Sequence, residues 1–391
     1  MVDFKKEIKF SDLKPKRKAK TPDSSIGSSS SAAPRKPRKQ EFVGLKVGAS
    51  QLAAAQVSND NGARLVRVAR QPLEPGLVVG GEVRDITGLA AALDEFFTSN
   101  KLPRKNVRVG IGTNRVGVRA LEVSGITDEK QLGNAVAFRA HEALAIPMDQ
   151  AVLDYHLLGT SVTEAGDTTH RVVLAAAYRE PIDHFVAAFQ AADIELAGID
   201  VEAFALLRAV APSNGAPADG ERAAIVAVAI GYDRSTLAIS DGEICDFTRV
   251  LEWGGSKLDV ALSRELGLGQ DEAEEFKRSI DLRGDAIAEE ADPRLTKGRE
   301  AVKRELVNLA RELIASLQFY QHQPGALAIG EILVTGGTTR MPGLVEELET
   351  LVRARVRVAD PLVAVTADEP GIAARDDLAS LAVAIGLGVE V

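Results

Sequence analysis

Two stretches of the chain repeat one pattern of apolar and polar positions. The first runs FVGLKVG at 42–48, LAAAQV at 52–57, the turn NDNG at 59–62, and then RLVRVARQP. Short apolar runs broken by Asn, Asp and Gly read as buried strands joined by tight turns, which predicts an antiparallel meander. The second stretch, from Ala223, reads AAIVAVAIG, YDRS, TLAIS, the turn SDG and EICDFTRVLEW. Gly231 stands where Gly48 stood. Two divergent copies of strand, glycine turn, strand, turn, strand predict two similar domains facing each other.

Between and after the copies the apolar period changes to that of helices. DITGLAAALDEFFTSN at 85–100 reads as an amphipathic helix, and KNVRVGIG at 105–112 as a returning strand. This alternation predicts an α/β fold. Residues 123–197 read as an inserted α+β piece. In it, TDEKQLGNAVAFRAHEAL forms a helix capped by Thr127 and ended before Pro147; VLDYHLLG and HRVVLAAAY are strands, and a further helix covers about Pro181 to Ala192. Later, SKLDVALSRELGL and DEAEEFKRSI read as helices, DLRGDAIAEEADPRLTKG as a polar excursion, and REAVKRELVNLARELIASLQFYQHQ as a long amphipathic helix. The expected division is a first domain over 41–122 completed by 198–218, the insertion 123–197, and a second domain over 219–391 with a helical subdomain 257–325.

Composition narrows the class. The 391 residues, 45% hydrophobic and 26% charged, fit two or three ordinary globular domains. One cysteine, Cys245, forms no intramolecular disulfide, and histidines 141, 156, 170, 184 and 322 show no close metal-ligand spacing, so a reducing, cytoplasmic setting is expected. No run reaches the roughly 18–20 apolar residues of a membrane helix. The apolar stretch Leu378–Val391 is too short, and it holds Ser380 and Glu390. The opening MVDFKKEIKF carries charges where a signal peptide needs an apolar core.

Charge divides the chain. Residues 1–40 hold 12 Lys/Arg and 4 Asp/Glu, net +8; the remaining 35 and 52 leave residues 41–391 at net −17. The Lys14–Gln40 stretch, with basic clusters around a serine run, is expected to be disordered. Phe4, Ile8 and Phe10 ahead of it leave a solvated terminus and a partner-binding segment both open. The acidic body excludes nucleic acid as an expected partner.

Three glycine turns follow buried strands: Gly48-Ala49-Ser50, Gly231-Tyr232-Asp233, and Gly336-Gly337-Thr338 after EILVT. Such turns let backbone N–H groups approach phosphates, because glycine lacks the Cβ that would hold an anion away. In their order they resemble the actin-like ATPase superfamily, an RNase H-like two-domain fold. More narrowly, residues 42–391 resemble the type IV pilus assembly protein PilM family through VGLKVGASQLAAAQV, IPMDQAVLDYHLLG, ELAGIDVEAFALLRAV, FTRVLEWGGSKL, DEAEEFKR, ASLQFYQHQ and ILVTGGTTRMPGL, in that family's order. The resemblance implies an FtsA/PilM-type inserted subdomain and a cytoplasmic role, peripheral at the inner face of the cell membrane, in a pilus or type II secretion platform. It also implies that the short cytoplasmic N-terminus of a PilN-type inner-membrane protein docks in a groove made partly by the insertion.

It further implies an ATP or ADP site at Lys46, Gly48, Ala49, Ser50, Gly231, Tyr232, Glu274, Lys277, Gly336, Gly337 and Thr338. Three positions of this site depart from the family. Where its first phosphate motif has an aspartate that orders magnesium, this chain has Lys46; where the second has an aspartate, it has Ala229. The lysine ending the first motif falls at Ala53. An ammonium repels a hydrated cation, so magnesium binding and ATP hydrolysis are not expected. Nucleotide held by Lys46 and an empty cleft with Lys46 facing solvent remain equal alternatives. Asp200 and Asp233 lie nearby in sequence but not at the lost positions. The expected function is a noncatalytic scaffold docking a PilN-type peptide, with an active actin-fold ATPase or an FtsA-like filament former as alternatives. The basic tail adds anionic membrane or the assembly motor ATPase as candidate partners. Arg139 stands where the family commonly has an acidic residue; His141 reads as a surface residue and Trp253 as core.

Overall fold

The computed structural model describes residues 41–390 apart from 61, 127–128, 145, 163–167, 212–221, 243, 285–291, 369, 374 and 376. The basic segment 1–40, the cap at Thr127 and part of the polar excursion therefore lie outside the described residues.

Strands β1 (Glu41–Val47), β2 (Gln51–Ser58) and β3 (Arg64–Pro72) form the expected meander, with Lys46 opposite Ala53. A short hairpin, β4 (Val78–Val79) and β5 (Glu82–Val83), follows. Helix α1 (Ile86–Ser99) starts at Asp85, whose carboxylate accepts the Gly88 N–H at 2.9 Å, and it buries Leu89, Leu93, Phe96 and Phe97. Capping an orphan donor while one apolar stripe faces the core is what fixes this helix. Strand β6 (Val107–Ile111) runs parallel to β1.

Residues after β6 leave this sheet. A three-stranded sheet is built from β7 (Val116–Ser124), β8 (Ala151–Val162) and β9 (Thr168–Tyr178) in the order β7-β9-β8, with α2 (Glu129–Ala143) packed on it through Leu132, Val136 and Ala140. Helix α3 (Arg179–Ala191) then returns to pack Ile182, Phe185 and Phe189 beside α1. By strand pairing and packing the insertion spans 116–178, whereas the expected limits 123 and 197 fall inside β7 and beyond α3. VGVRALEVS lacks clean alternation, which hides β7, and α3 contributes its apolar face to the first domain's core.

Strand β10 (Leu196–Val201) completes the first sheet beside β6 and leads directly into α4 (Glu202–Val210). The second meander, β11 (Ala224–Ile230), β12 (Ser235–Ser240) and β13 (Cys245–Leu251), precedes α5 (Ser256–Leu266), α6 (Gln270–Lys277) and the long α7 (Arg294–Gln321). Strand β14 (Ile329–Thr335), helix α8 (Leu344–Val352) and strand β15 (Val356–Val358) give a five-stranded sheet ordered β13-β12-β11-β14-β15. The chain then crosses back. Strand β16 (Thr366–Ala367) pairs with β3, so the first sheet reads β10-β6-β1-β2-β3-β16, and α9 (Pro370–Ala373) follows.

The last helix, α10 (Ala382–Gly388), is buried throughout. Ala382, Val383 and Leu387 pack with Ala227, Ala229 and Leu333 of the second sheet, while Ala384 and Ile385 pack with Ala53, Ala55 and Val57 of the first. The apolar stretch from Leu378 is thus a wedge between the two sheets. Gly44 permits it: a Cβ there would stand 2.6 Å from Gly388 N and 2.7 Å from Leu387 Cβ. Among the described residues, no helix is long and apolar enough to cross a membrane.

Candidate functional site

The two meanders turn in the same way. Gly48 N–H donates to Gln51 O at 2.9 Å, and Gly231 N–H donates to Arg234 O at 3.0 Å. The start of α5 is seated on the second turn by Gly255 N–H to Gly231 O and Ser256 N–H to Tyr232 O, both 2.9 Å. The third turn closes against the C-terminal segment, where Gly336 N–H reaches Ala379 O at 3.0 Å and the Thr335 hydroxyl reaches the same oxygen at 2.7 Å. Gly336 has φ +108°, and the Ile230 carbonyl occupies the space of any Cβ. Only glycine meets both demands.

These turns rim a cavity of about 620 Å³ between the two lobes. Lys46, Gly48, Ala49 and Ser50 form its first-lobe wall, and Gly231 with Tyr232 lie opposite. Gly336, Gly337 and Thr338 form a third side, and Glu274 with Lys277 line it from α6. The structure thus brings all eleven residues singled out in the sequence to one cavity. Ala53 and Ala229 line it as well.

Its electrostatics were only partly visible in sequence. Lys46 does not simply reach solvent: its Nζ lies 3.3 Å from Glu202 Oε2, and the Glu202 side chain is only 4% exposed. The Thr236 hydroxyl donates to the same carboxylate at 3.0 Å. Glu202 opens α4, where the helix dipole favours a negative charge. Sequence reasoning missed it; the available signal was a carboxylate at a strand-to-helix junction, in a helix whose other charged residue is Arg208. Lys277 Nζ sits 2.7 Å from Asp259 Oδ1 and 3.3 Å from Gly255 O. Burial pushes the Asp259 carboxyl above its ordinary range, and Lys277 opposes that shift. Glu274 pairs with Arg278 at 3.2 Å. Asp233 Oδ2 accepts the Gly80 N–H at 3.1 Å, so the β4–β5 turn of the first lobe touches the glycine turn of the second. Arg234 and Arg340, also in the lining, have no ion-pair partner among the described residues. Asp200 lies elsewhere, paired with Arg208.

This donor set does not fit magnesium. The lining carboxylates are engaged by Lys46 and Thr236, by Arg278, and by a backbone N–H, and the Lys46 ammonium shares the cavity with the glycine turns. Among the described residues, no group of three His, Cys, Asp or Glu side chains is placed to hold a metal ion. Magnesium needs anionic ligands for itself or its waters in near-octahedral array. The glycine turns and the size of the cavity do fit a phosphorylated ligand.

A second cavity, of about 210 Å³, lies where the inserted sheet meets the first lobe. Ile111, Val116, Ala175, Ile199 and Phe204 give it apolar walls, and Asp154, His156 and Asp200 add polar groups. Residues 154–156 belong to β8 and 199–201 to β10, each the outer strand of its sheet.

The family described as type IV pilus assembly protein PilM matches residues 44–391. The chain belongs to that family. It is thus a type IV pilus assembly protein, and its fold is that of the actin-like ATPases. A solved PilM–PilN type IV pilus biogenesis complex is similar over 90% of this chain and 98% of that one, at 24% identity and a TM-score of 0.72. The ethanolamine utilization protein EutJ of Carboxydothermus hydrogenoformans aligns over 91% of both chains at 16% identity and a TM-score of 0.52. The cell division protein FtsA of Bacillus subtilis (strain 168) is 20% identical over 347 residues, 82% of this chain and 78% of its own. In this PilM-family chain Trp253 is core, 1% exposed, with its Nε1–H donating to Glu305 at 2.9 Å. His141 and Arg139 are exposed on α2, Arg139 paired with Glu142 at 3.3 Å.

Proposed function

We propose that this chain is a noncatalytic scaffold of a type IV pilus or type II secretion-like platform, working at the cytoplasmic face of the inner membrane. In this reading it docks the N-terminal peptide of a PilN-type membrane protein. The observation that carries the reading is the groove between the inserted sheet and the first lobe. Two outer strands, β8 and β10, border an apolar slot with acidic and imidazole groups in its lining. An extended peptide can add to such an edge through main-chain hydrogen bonds while its apolar side chains fill the slot. The family membership and the likeness to a PilM–PilN complex support the choice of partner.

Absence of ATP turnover belongs to the same reading. Phosphoryl transfer depends on electrostatic positioning of metal and water. Here Lys46 faces Glu202, and Ala229 stands at the second motif. The net +8 segment 1–40 supports attachment to an anionic surface, each basic residue contributing about 1 kcal/mol near such a surface and less at high salt.

Calorimetric titration with a synthetic PilN-type N-terminal peptide tests the docking. Binding in the micromolar range is expected, and Ala175→Trp, which fills the slot, abolishes it. No heat at high micromolar peptide sinks the reading. Magnesium-dependent ATP turnover by the purified chain would remove its noncatalytic half. Equal vesicle flotation with and without residues 1–40 would leave the tail no part in lipid binding.

A further inference from the structure

The interlobe cavity carries more positive charge than its acidic groups offset. Its lining includes Lys46, Arg70, Arg234, Lys277, Arg278 and Arg340 against Glu202, Asp233 and Glu274; Arg70 and Lys277 pair with Asp377 and Asp259 outside the lining, and Lys46 and Arg278 with Glu202 and Glu274. Each of the three acids is already engaged within the protein. Arg234 and Arg340 have no such partner among the described residues, and Arg234 Nη1 is buried with no hydrogen-bond acceptor. Its guanidinium packs against Gly81 of the β4–β5 turn, so Arg234 adds positive charge at the cavity wall.

We propose that this cleft binds the phosphates of a nucleoside di- or triphosphate without a divalent cation, the Lys46 ammonium supplying the charge that a hydrated metal would otherwise bring. Lys46 suits that task. Its side chain is 20% exposed at the cavity wall, and an ammonium has three donors. Glu202, fixed by the Thr236 hydroxyl, holds the ammonium at the cavity wall at 3.3 Å and competes with a ligand for it. Beyond the turns, Glu274, Thr338, Met341 and Pro342 extend the cavity past what phosphates alone would fill, which points to a nucleoside rather than bare polyphosphate. The inference does not depend on peptide docking: the groove lies elsewhere, and each site has its own titration.

The experiment is isothermal titration of ATP, ADP and inorganic triphosphate into the full chain, in EDTA and in excess magnesium. ATP or ADP is expected to bind in EDTA at least as tightly as in magnesium, because the cation competes for the phosphates. Lys46→Ala is expected to weaken binding in EDTA by about tenfold or more, as loss of a charge-assisted contact does. Glu202→Gln frees the ammonium and is expected to tighten binding. Lys46→Asp is expected to bind only with magnesium. These opposite signs separate a ligand role for Lys46 from a structural one, and melting curves identify any variant that fails to fold; Lys46→Gln then replaces Lys46→Ala. Binding by the wild type only with magnesium overturns the proposal. So does absence of binding in EDTA at about 1 mM nucleotide, an affinity too weak to matter. Inorganic triphosphate binding as tightly as ATP overturns the nucleoside assignment.

Discussion

Replacing Gly44 by alanine tests whether α10 is truly wedged against the first sheet. The new Cβ would stand 2.6 Å from Gly388 N and 2.7 Å from Leu387 Cβ, and nearer still to the Ala384 carbonyl oxygen. Comfortable carbon contacts begin near ~3.5 Å, so α10 has to retreat by roughly 1 Å. Every residue of α10 is buried, and the obstacle is mostly backbone, so no flexible side chain can swing aside. Overpacking of this kind costs ~1–3 kcal/mol, and the upper end applies here. With an unfolding entropy of ~2.1 cal/mol/K per residue, about 350 folded residues give ~0.7 kcal/mol/K, so the midpoint should fall by ~4 °C. Scanning calorimetry reads this directly. Gly198→Ala is the control: its Cβ meets nothing within 4 Å, and its midpoint should hold to within about 1 °C. A Gly44→Ala protein melting with the control would refute the wedge.

Three further outcomes follow from the core and its edges. Cys245 is buried, and burial pushes its thiol up to about 12, so Ellman's reagent at mildly alkaline pH should find the single thiol only after denaturation. Trp253, the sole tryptophan, should emit at short wavelength in the native state, and Trp253→Phe should destabilise by ~1–2 kcal/mol because Glu305 loses its donor. A solvent-like native emission would contradict its burial. Arg357 hydrogen bonds, at 2.7 and 2.9 Å, hold the Glu331 carboxyl below its usual value. A depressed carboxylate stabilises above its unfolded value and loses that contribution as pH falls through the native one. Urea midpoints of Glu331→Gln should therefore lie slightly below wild type at neutral pH, by a few tenths of a kcal/mol for so exposed a pair, and converge in acid.

Much of the fold was legible because its signals are local. The meanders announce themselves through dense apolar runs and glycine turns, and α1 through its period. What escaped is what long-range packing decides. Strand β7 is read as a strand only once β9 is beside it, and α3 looks like part of the insertion until Phe185 and Phe189 are seen under the first sheet. The site divides likewise. The eleven residues tied to recurring turn and helix motifs meet at one cavity. Glu202 and Arg234 went unmarked, since a single charge beside a strand carries no meaning until the fold brings Lys46 to Glu202 and closes a cavity beside Arg234.

The C-terminal wedge sets an order of events during synthesis. Asn59 hydrogen-bonds to Gly388 O across 329 positions of sequence, and β3 takes its neighbour from residues 366–367. The first lobe therefore leaves the ribosome unable to finish its own core. Its early strands must wait, with the apolar faces of Ala53, Ala55 and Val57 unshielded, until the residues of α10 have been made. A ribosome stalled before Ala382 would hold a first lobe prone to aggregation and a second sheet bare on the side that α10 covers, a state on which chaperones and proteases would be expected to act.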